Sequence, residues 1–183
     1  MTRLGQLRSA MEAEGLQVIP WRISRRSLNP LRELHAFLHV ARVYQRERPD
    51  LLHHVALKPI VYGGLAARFC GGIASVNAVA GLGHVFTSSI LPMRLLRIAL
   101  STLLRIALTG KNAKSVFQNE DNRNVFLQEG IASNENSVVI RGAGVDIEKF
   151  RPQAEPNGVP VVMFASRMLW EKGVREFVTA AEN

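Results

Sequence analysis

Apolar and polar positions alternate along this chain with two distinct periods. Residues 4–14 carry Leu4, Leu7 and Met11 at helical spacing, with Gly15 as a stop. Leu16 to Ile23 then reads as a strand. Asn29-Pro30 is a strong helix start, an N-cap followed by proline at the first helical position. The helix it opens is expected to run to about Arg48 and to bury Leu31, Leu34, Leu38 and Ala41, joined by Phe37 and Tyr44.

Short apolar runs and helical stretches alternate from there. Leu51–Leu57 and Ile73–Ala80 read as strands, separated by a small-residue helix from Pro59 to Phe69 that ends at Gly71-Gly72. Leu91–Leu108 is a long amphipathic helix. Ser115–Asn119 is a strand, Glu120–Gln128 a helix and Ser137–Ile140 a further strand. After a linker-like stretch at 153–158, Val161–Ala165 is an apolar run of the kind that forms a buried parallel strand. Gly173 then introduces a last helix with Val174, Phe177, Val178 and Ala181 at helical spacing. Strands alternating with helices predict an α/β fold with a parallel sheet and helices on both faces.

Charge sharpens the picture. The net charge is +8, and residues 51–119 hold seven Lys/Arg and no Asp or Glu. Such a block favours an anionic partner. Few aromatics accompany it (Tyr62, Phe69, Phe86 and Phe117), which argues against single-stranded nucleic acid bound by stacking. The single Cys70 excludes an internal disulfide and fits a reducing compartment. The N-terminus has no apolar signal-peptide core.

Leu91–Leu108 repeats L-L-R-I-A-L, at 95–100 and 103–108. On a helix, Arg94, Arg97, Ser101 and Arg105 fall within roughly 80° of one another. Three arginines would each cost roughly 2.5–3.5 kcal/mol in a bilayer centre, so the segment is not a span. It is either a core helix with one basic edge or a helix whose arginines face an anionic membrane surface.

Candidate chemistry lies where strands end. Arg167 follows the Val161–Ala165 run and Lys172 precedes the last helix. Two cations beside free helix N–H groups suit a diphosphate, although solvated surface charges fit the spacing equally well. Gly81 and Gly83, and later Gly142 and Gly144, follow strands at points where a ligand could approach the backbone. His53 and His54 are adjacent, so a strand turns them to opposite faces and they do not jointly hold one metal. No metal site is expected.

Five segments, in order, carry a resemblance: S-R-R-S-L-N-P, V-N-A-V-A-G-L-G-H-V-F, F-Q-N-E-D-N, R-G-A-G-V-D-I-E-K-F-R-P and A-S-R-M-L-W-E-K-G-V-R-E-F. Together the chain resembles the family 4 glycosyltransferases, retaining enzymes of the two-domain GT-B type, and within them those that extend polyprenyl-diphosphate-linked oligosaccharides. The resemblance implies a Rossmann-like acceptor domain over 1–152, a linker over 153–158 and the start of a donor domain over 159–183. The family's first strand and most of its donor domain are expected to be missing, and the chain alone is expected to be inactive. A nucleotide sugar would be the donor, its diphosphate held by Arg167 and Lys172 without a metal or other cofactor. A glycan or polyprenyl-diphosphate-linked sugar would be the acceptor, reached at the inner face of the plasma membrane, with no nucleic acid involved. Relatives carry His, Thr or Glu before G-L-G; here it is Ala80, so no catalytic side chain is assigned. Two other readings stay open: a non-enzymatic basic module for anionic lipid or nucleic acid, and an inactive remnant.

Overall fold

A computed structural model describes residues 5–21, 23, 27, 29–81, 91–142, 144–154, 157–166, 168 and 170–182. Contacts divide the chain into two units, Met1–Gly144 and Val145–Asn183.

Among the described residues the first unit has four parallel strands: β1 (Leu51–Val55), β2 (Ala74–Val79), β3 (Ala113–Phe117) and β4 (Ser137–Val139), in the spatial order β1-β2-β3-β4. Registers pair Leu51 with Ala74, Ser75 with Ala113 and Ser115 with Ser137. The helices are α1 (Gly5–Ala13), α2 (Pro30–Glu47), α3 (Leu57–Phe69), α4 (Leu91–Leu108) and α5 (Glu120–Gln128). Asn29 caps α2, its Oδ1 accepting from the amides of Leu31 and Arg32.

Strand order decides which face is covered. Each strand is added beside the previous one in the same direction, and parallel crossovers are right-handed. The connecting helices α3, α4 and α5 therefore fall on one face. That face carries Leu52, His54, Ser75, Asn77, Val79, Ala113, Ser115 and Phe117, all buried. The opposite face shows Leu51, Val55 and Val138 exposed. Helices on both faces would need the order of strand addition to reverse, and it does not among the described strands.

The core joins Ile60 and Val61 of α3, Leu104, Ala107 and Leu108 of α4, Phe117 of β3 and Phe126 of α5. Phe117 and Phe126 meet edge to face at 5.2 Å. Gly64 lets α3 and α4 close, since a Cβ there would stand 2.8 Å from the Cβ of Ala107.

A polar chain crosses this layer. The Tyr44 hydroxyl of α2 lies 2.8 Å from Nε2 of His54, whose Nδ1 lies 2.7 Å from Oδ1 of Asn77. Asn77 donates from Nδ2 to the Ser75 hydroxyl and the Lys114 carbonyl, both at 3.3 Å. With Asn77 Oδ1 as acceptor, Nδ1 of His54 carries the proton and Nε2 accepts from Tyr44. Burial pushes the Tyr44 hydroxyl up to about 12, with the nearby Cys70 adding to it. Burial also holds His54 below its ordinary value, against the hydrogen bond to Asn77. His53, on the other side of the strand, is exposed.

This chain rotates α2 away from the face expected from its leucines. Ala36 and Val40 are buried, whereas Leu31 is 76% exposed and Leu34 and Leu38 are also exposed. Glu33, Phe37 and Tyr44 turn inward with Ala36 and Val40, because each has a specific partner there: Glu33 pairs with Lys58, Phe37 meets Phe69 edge to face, and Tyr44 meets His54. The described residues of Leu16–Ile23 also depart from expectation: they pair with no strand. Trp21 instead donates its indole N–H to the Ala36 carbonyl at 3.1 Å.

The second unit contains a one-turn 3-10 helix (Trp170–Lys172) and α6 (Val174–Glu182). Val161–Ala165, expected as a buried strand, has no ladder partner among the described residues, and Val161, Val162 and Met163 are exposed. Apolar sequence favours burial, but neighbouring strands must supply both the ladder and the cover. Phe164 and Phe177 pack at 5.3 Å.

Two outcomes follow from the polar chain. A Cβ at Gly63 would lie 2.3 Å from His54 Nε2 and 2.9 Å from the Tyr44 hydroxyl. Gly63→Ala is therefore expected to lose about 1–3 kcal/mol in urea unfolding, the range for overpacking. Because His54 is depressed in the folded state, the unfolded chain binds its proton first as pH falls. This contribution is complete above about pH 6.5 and declines as pH drops from there toward the lower folded-state value. Urea midpoints measured across this window should show that decline in the wild type and lack it in His54→Gln.

Candidate functional site

All four strands run parallel, so their carboxyl ends form one edge of the sheet. In open α/β sheets ligands bind at that edge, where loops leave the strands and helix N-termini face the crevice. The strands end at Val55, Val79, Phe117 and Val139, and the segments that leave them hold Ala56, Gly81, Asn119, and Gly142 with Gly144.

The turn after β1 is strained. Ala56 has φ 76° and ψ 157°, a conformation that side chains strongly disfavour. It is pinned by its amide, which donates to the Ala78 carbonyl at 3.1 Å, and by its carbonyl, which accepts from Ile60 at 3.0 Å. After β2, Gly81 has φ 154°. The partner glycine Gly83 and His84 lie outside the described residues. After β3, Asn119 caps α5 by accepting from the Asn122 amide at 2.8 Å. After β4, Gly142 and Gly144 have φ 67° and 78°, so both glycines occupy the left-handed region in which a side chain would be strained.

A side-chain cluster at this edge was not anticipated from the sequence. Lys58, in the first turn of α3, donates from Nζ to the Ser27 carbonyl at 2.9 Å and pairs with Glu33 at 3.0 Å. Tyr62, one turn further, donates its hydroxyl to the same Glu33 oxygen. Burial by itself would raise Glu33, but the hydrogen bonds from Tyr62, Lys58 and Ser27 bring it below the usual carboxylate range. Burial and then Glu33 push the Tyr62 hydroxyl upward. Trp21 meets Tyr62 edge to face at 6.2 Å. The cluster ties the N-termini of α2 and α3 together beside the end of β1. One signal was available: Lys58 is a cation at the positive end of a helix dipole, a placement that calls for a nearby carboxylate.

The arginine edge of α4 is engaged with the end of α5. Arg105 donates from Nε to the Gly130 carbonyl at 2.8 Å and from a terminal nitrogen to the Glu129 carbonyl at 2.7 Å, and Arg97 pairs with the Glu129 side chain. These guanidinium groups complement the carbonyls left unpaired at a helix C-terminus. The side chain of Arg94 lies outside the described residues. Among the described residues no helix is long and apolar enough to cross a membrane, and no three His, Cys, Asp or Glu side chains are grouped as metal ligands.

In the second unit Lys172 is exposed at the end of the 3-10 turn. Gly173 follows with φ 81°, its carbonyl accepting from Phe177 at 2.9 Å as α6 begins. Lys172 therefore stands immediately before a helix N-terminus, where an anion is favoured. Arg167 lies outside the described residues.

N,N'-diacetylbacillosaminyl-diphospho-undecaprenol alpha-1,3-N-acetylgalactosaminyltransferase of Campylobacter jejuni is 29% identical to this chain, over 91% of the chain and 47% of the relative. The chain thus spans about half the length of the curated relative it matches. Residues 5–118, which include β1, β2, β3 and the Lys58–Glu33–Tyr62 cluster, match the family described as glycosyl transferase 4-like. With its parallel Rossmann-like sheet and a family match over most of its length, the chain belongs to the glycosyl transferase 4-like family.

Proposed function

We propose that this chain is part of a glycosyltransferase that transfers a sugar from a nucleotide-sugar donor to a glycan or polyprenyl-diphosphate-linked acceptor, in the synthesis of a polysaccharide or glycoconjugate. The observation that carries this reading is the match, along 91% of the chain, to a transferase whose named acceptor is a diphospho-undecaprenol-linked sugar. The first unit would be the acceptor domain and residues 159–183 would open the donor domain. The carboxyl edge of the sheet, with Gly81 and Gly83 after β2 and Gly142 and Gly144 after β4, would border the crevice on the acceptor side. The protein would work peripherally at the inner face of the plasma membrane, where a polyprenyl-linked acceptor is held.

Arg167 and Lys172 would take the donor diphosphate, without a metal. As the leaving diphosphate gains charge in the transition state, fixed cations stabilise it more than they stabilise the bound donor. Arginine offers a planar fork and lysine a point charge, so the two are not interchangeable.

The alternative of a basic module without catalysis is weakened by how the cations are used. Lys58 is paired with Glu33, Arg97 with Glu129, and Arg105 and Lys114 donate to main-chain carbonyls. Of the described cations in that block, Lys58 and Arg97 are neutralised by carboxylates, and Arg105 and Lys114 are fixed by carbonyls while keeping their charge.

The direct test is turnover by the full-length natural polypeptide with a panel of nucleotide sugars and a polyprenyl-diphosphate-linked acceptor, with retention on DNA measured in parallel. Retention on DNA with no nucleotide-sugar binding would favour the basic-module reading. Arg167→Ala and Lys172→Ala should each lower kcat/KM by about 10²–10³, the scale for removing one preorganised donor. The double variant should be less than additive if both serve one charge. Wild-type turnover with an unchanged melting curve would remove these residues from the site.

A further inference from the structure

The outward face of α4 is apolar rather than cationic. Ile98 is 65% exposed, Leu103 40% and Ile106 42%, and Ala99 and Thr102 between them are exposed too. At about 100° per residue these five positions span an arc of roughly 140° on one side of the helix. The opposite side, with Ser101, Leu104, Ala107 and Leu108, is buried against the domain. The only hydroxyl in the outward arc is already satisfied, because Thr102 donates from Oγ1 to the Ile98 carbonyl at 3.0 Å. The arc therefore presents methyl groups and no unpaired polar side chain.

Cations border this ridge. Arg105 lies at its edge, Arg68 of α3 donates to the Ile106 carbonyl at 3.1 Å, and Lys111 is exposed in the turn that follows α4. A guanidinium bonded to a carbonyl keeps its full charge. Helices α3 and α4 together hold two Lys/Arg and three Arg respectively, and neither contains a carboxylate. An apolar strip rimmed by positive charge, on an 18-residue helix that does not span, is the pattern of a helix lying in the plane of an anionic bilayer.

We propose that Ile98, Leu103 and Ile106 form a ridge that seats the first unit on an anionic phospholipid surface, with Arg68, Arg105 and Lys111 as its cationic rim. This rests on the reading that the acceptor is lipid-borne, and it changes which face of α4 meets the lipid. Apolar side chains enter the headgroup layer, while Arg97 and Arg105 keep α5 in place. A second copy of the chain fits the ridge less well, since the cationic rims of two copies would oppose each other.

The test is partition of the full polypeptide onto vesicles of phosphatidylglycerol and phosphatidylcholine, followed by sedimentation, with no acceptor present. The triple variant Ile98→Ser, Leu103→Ser, Ile106→Ser should lose about tenfold or more in partition, in line with the area withdrawn from the acyl boundary. Its melting temperature should fall by only a few degrees with unfolding still cooperative, because Ile98 is mostly exposed and Leu103 and Ile106 are partly so. The single variant Ile98→Trp gives a second readout that does not depend on the triple variant folding. Its added emission should shift to the blue on vesicles and not in buffer. Wild-type partition by the triple variant, an unshifted Ile98→Trp spectrum, or a ridge-dependent dimer that ignores vesicles would each overturn the proposal. The readout separates this surface from the catalytic reading: turnover on a lipid-linked acceptor with no vesicle binding sinks only the ridge, and vesicle binding without turnover sinks only the activity.

Discussion

A neutral histidine ring, held between a phenol and a carboxamide, fixes the geometry of the first unit. His54 bonds Tyr44 on one side and Asn77 on the other, so one ring links α2, β1 and β2, and Asn77 extends the link to the β3 carbonyl of Lys114. A buried polar group without partners is costly, and here each member supplies the next. The consequences spread outward. Gly63 must remain without a side chain, because the His54 ring occupies the space where a Cβ would stand. Helix α2 must present Tyr44 to the sheet, and this places Glu33, three turns earlier on the same face, where it meets Lys58 and Tyr62. A packing constraint in the core thus sets the arrangement of charges at the end of β1.

That edge combines rigidity with concentrated charge. Ala56 holds a backbone conformation that costs on the order of 1–3 kcal/mol, stabilised by two main-chain hydrogen bonds. The Lys58 cation is placed against the helix dipole and is balanced by a carboxylate from a different helix. Both features carry a cost where loops leave the strands and are offset by contacts behind them. This division is expected of a scaffold that must keep one edge shaped for a ligand.

Local pattern was enough for most of the elements. The Asn29-Pro30 start, the bounds of Leu91–Leu108 and of Glu120–Gln128, and the parallel α/β class were all legible, since capping chemistry and helical periodicity are properties of neighbouring residues. The rotation of α2 was not legible. Its sequence offers two apolar stripes, and the choice between Leu31–Leu34–Leu38 and Ala36–Val40–Tyr44 was made by His54, Lys58 and Phe69, which are distant in sequence. The Val161–Ala165 run illustrates the same limit, because a strand is completed by partners that its own residues do not specify. At the site, the glycines after β2 and β4 and the placement of Lys172 before a helix could be read directly. The Lys58–Glu33–Tyr62 cluster could not, because it joins two helices that β1 separates in sequence. The arginines of α4 looked like a free cationic stripe because their acceptors are carbonyls and one carboxylate of a following helix.

The unbroken strand order also bears on how the domain assembles. Paired residues in successive strands are 23, 38 and 22 positions apart, and no strand waits for a partner from elsewhere in the described sheet. Closing the longest of these loops costs only about half a kcal/mol more entropy than closing the shortest. Each strand–helix unit can therefore dock on its predecessor as the chain lengthens, and native pairings can form in the order of synthesis. The β2–β3 closure, which must wait for α4 to cross the face, is the natural pause. Until then the methyl ridge and the still-uncovered buried face of the sheet are exposed together, so the nascent chain is most vulnerable to aggregation between the completion of β2 and the arrival of β3.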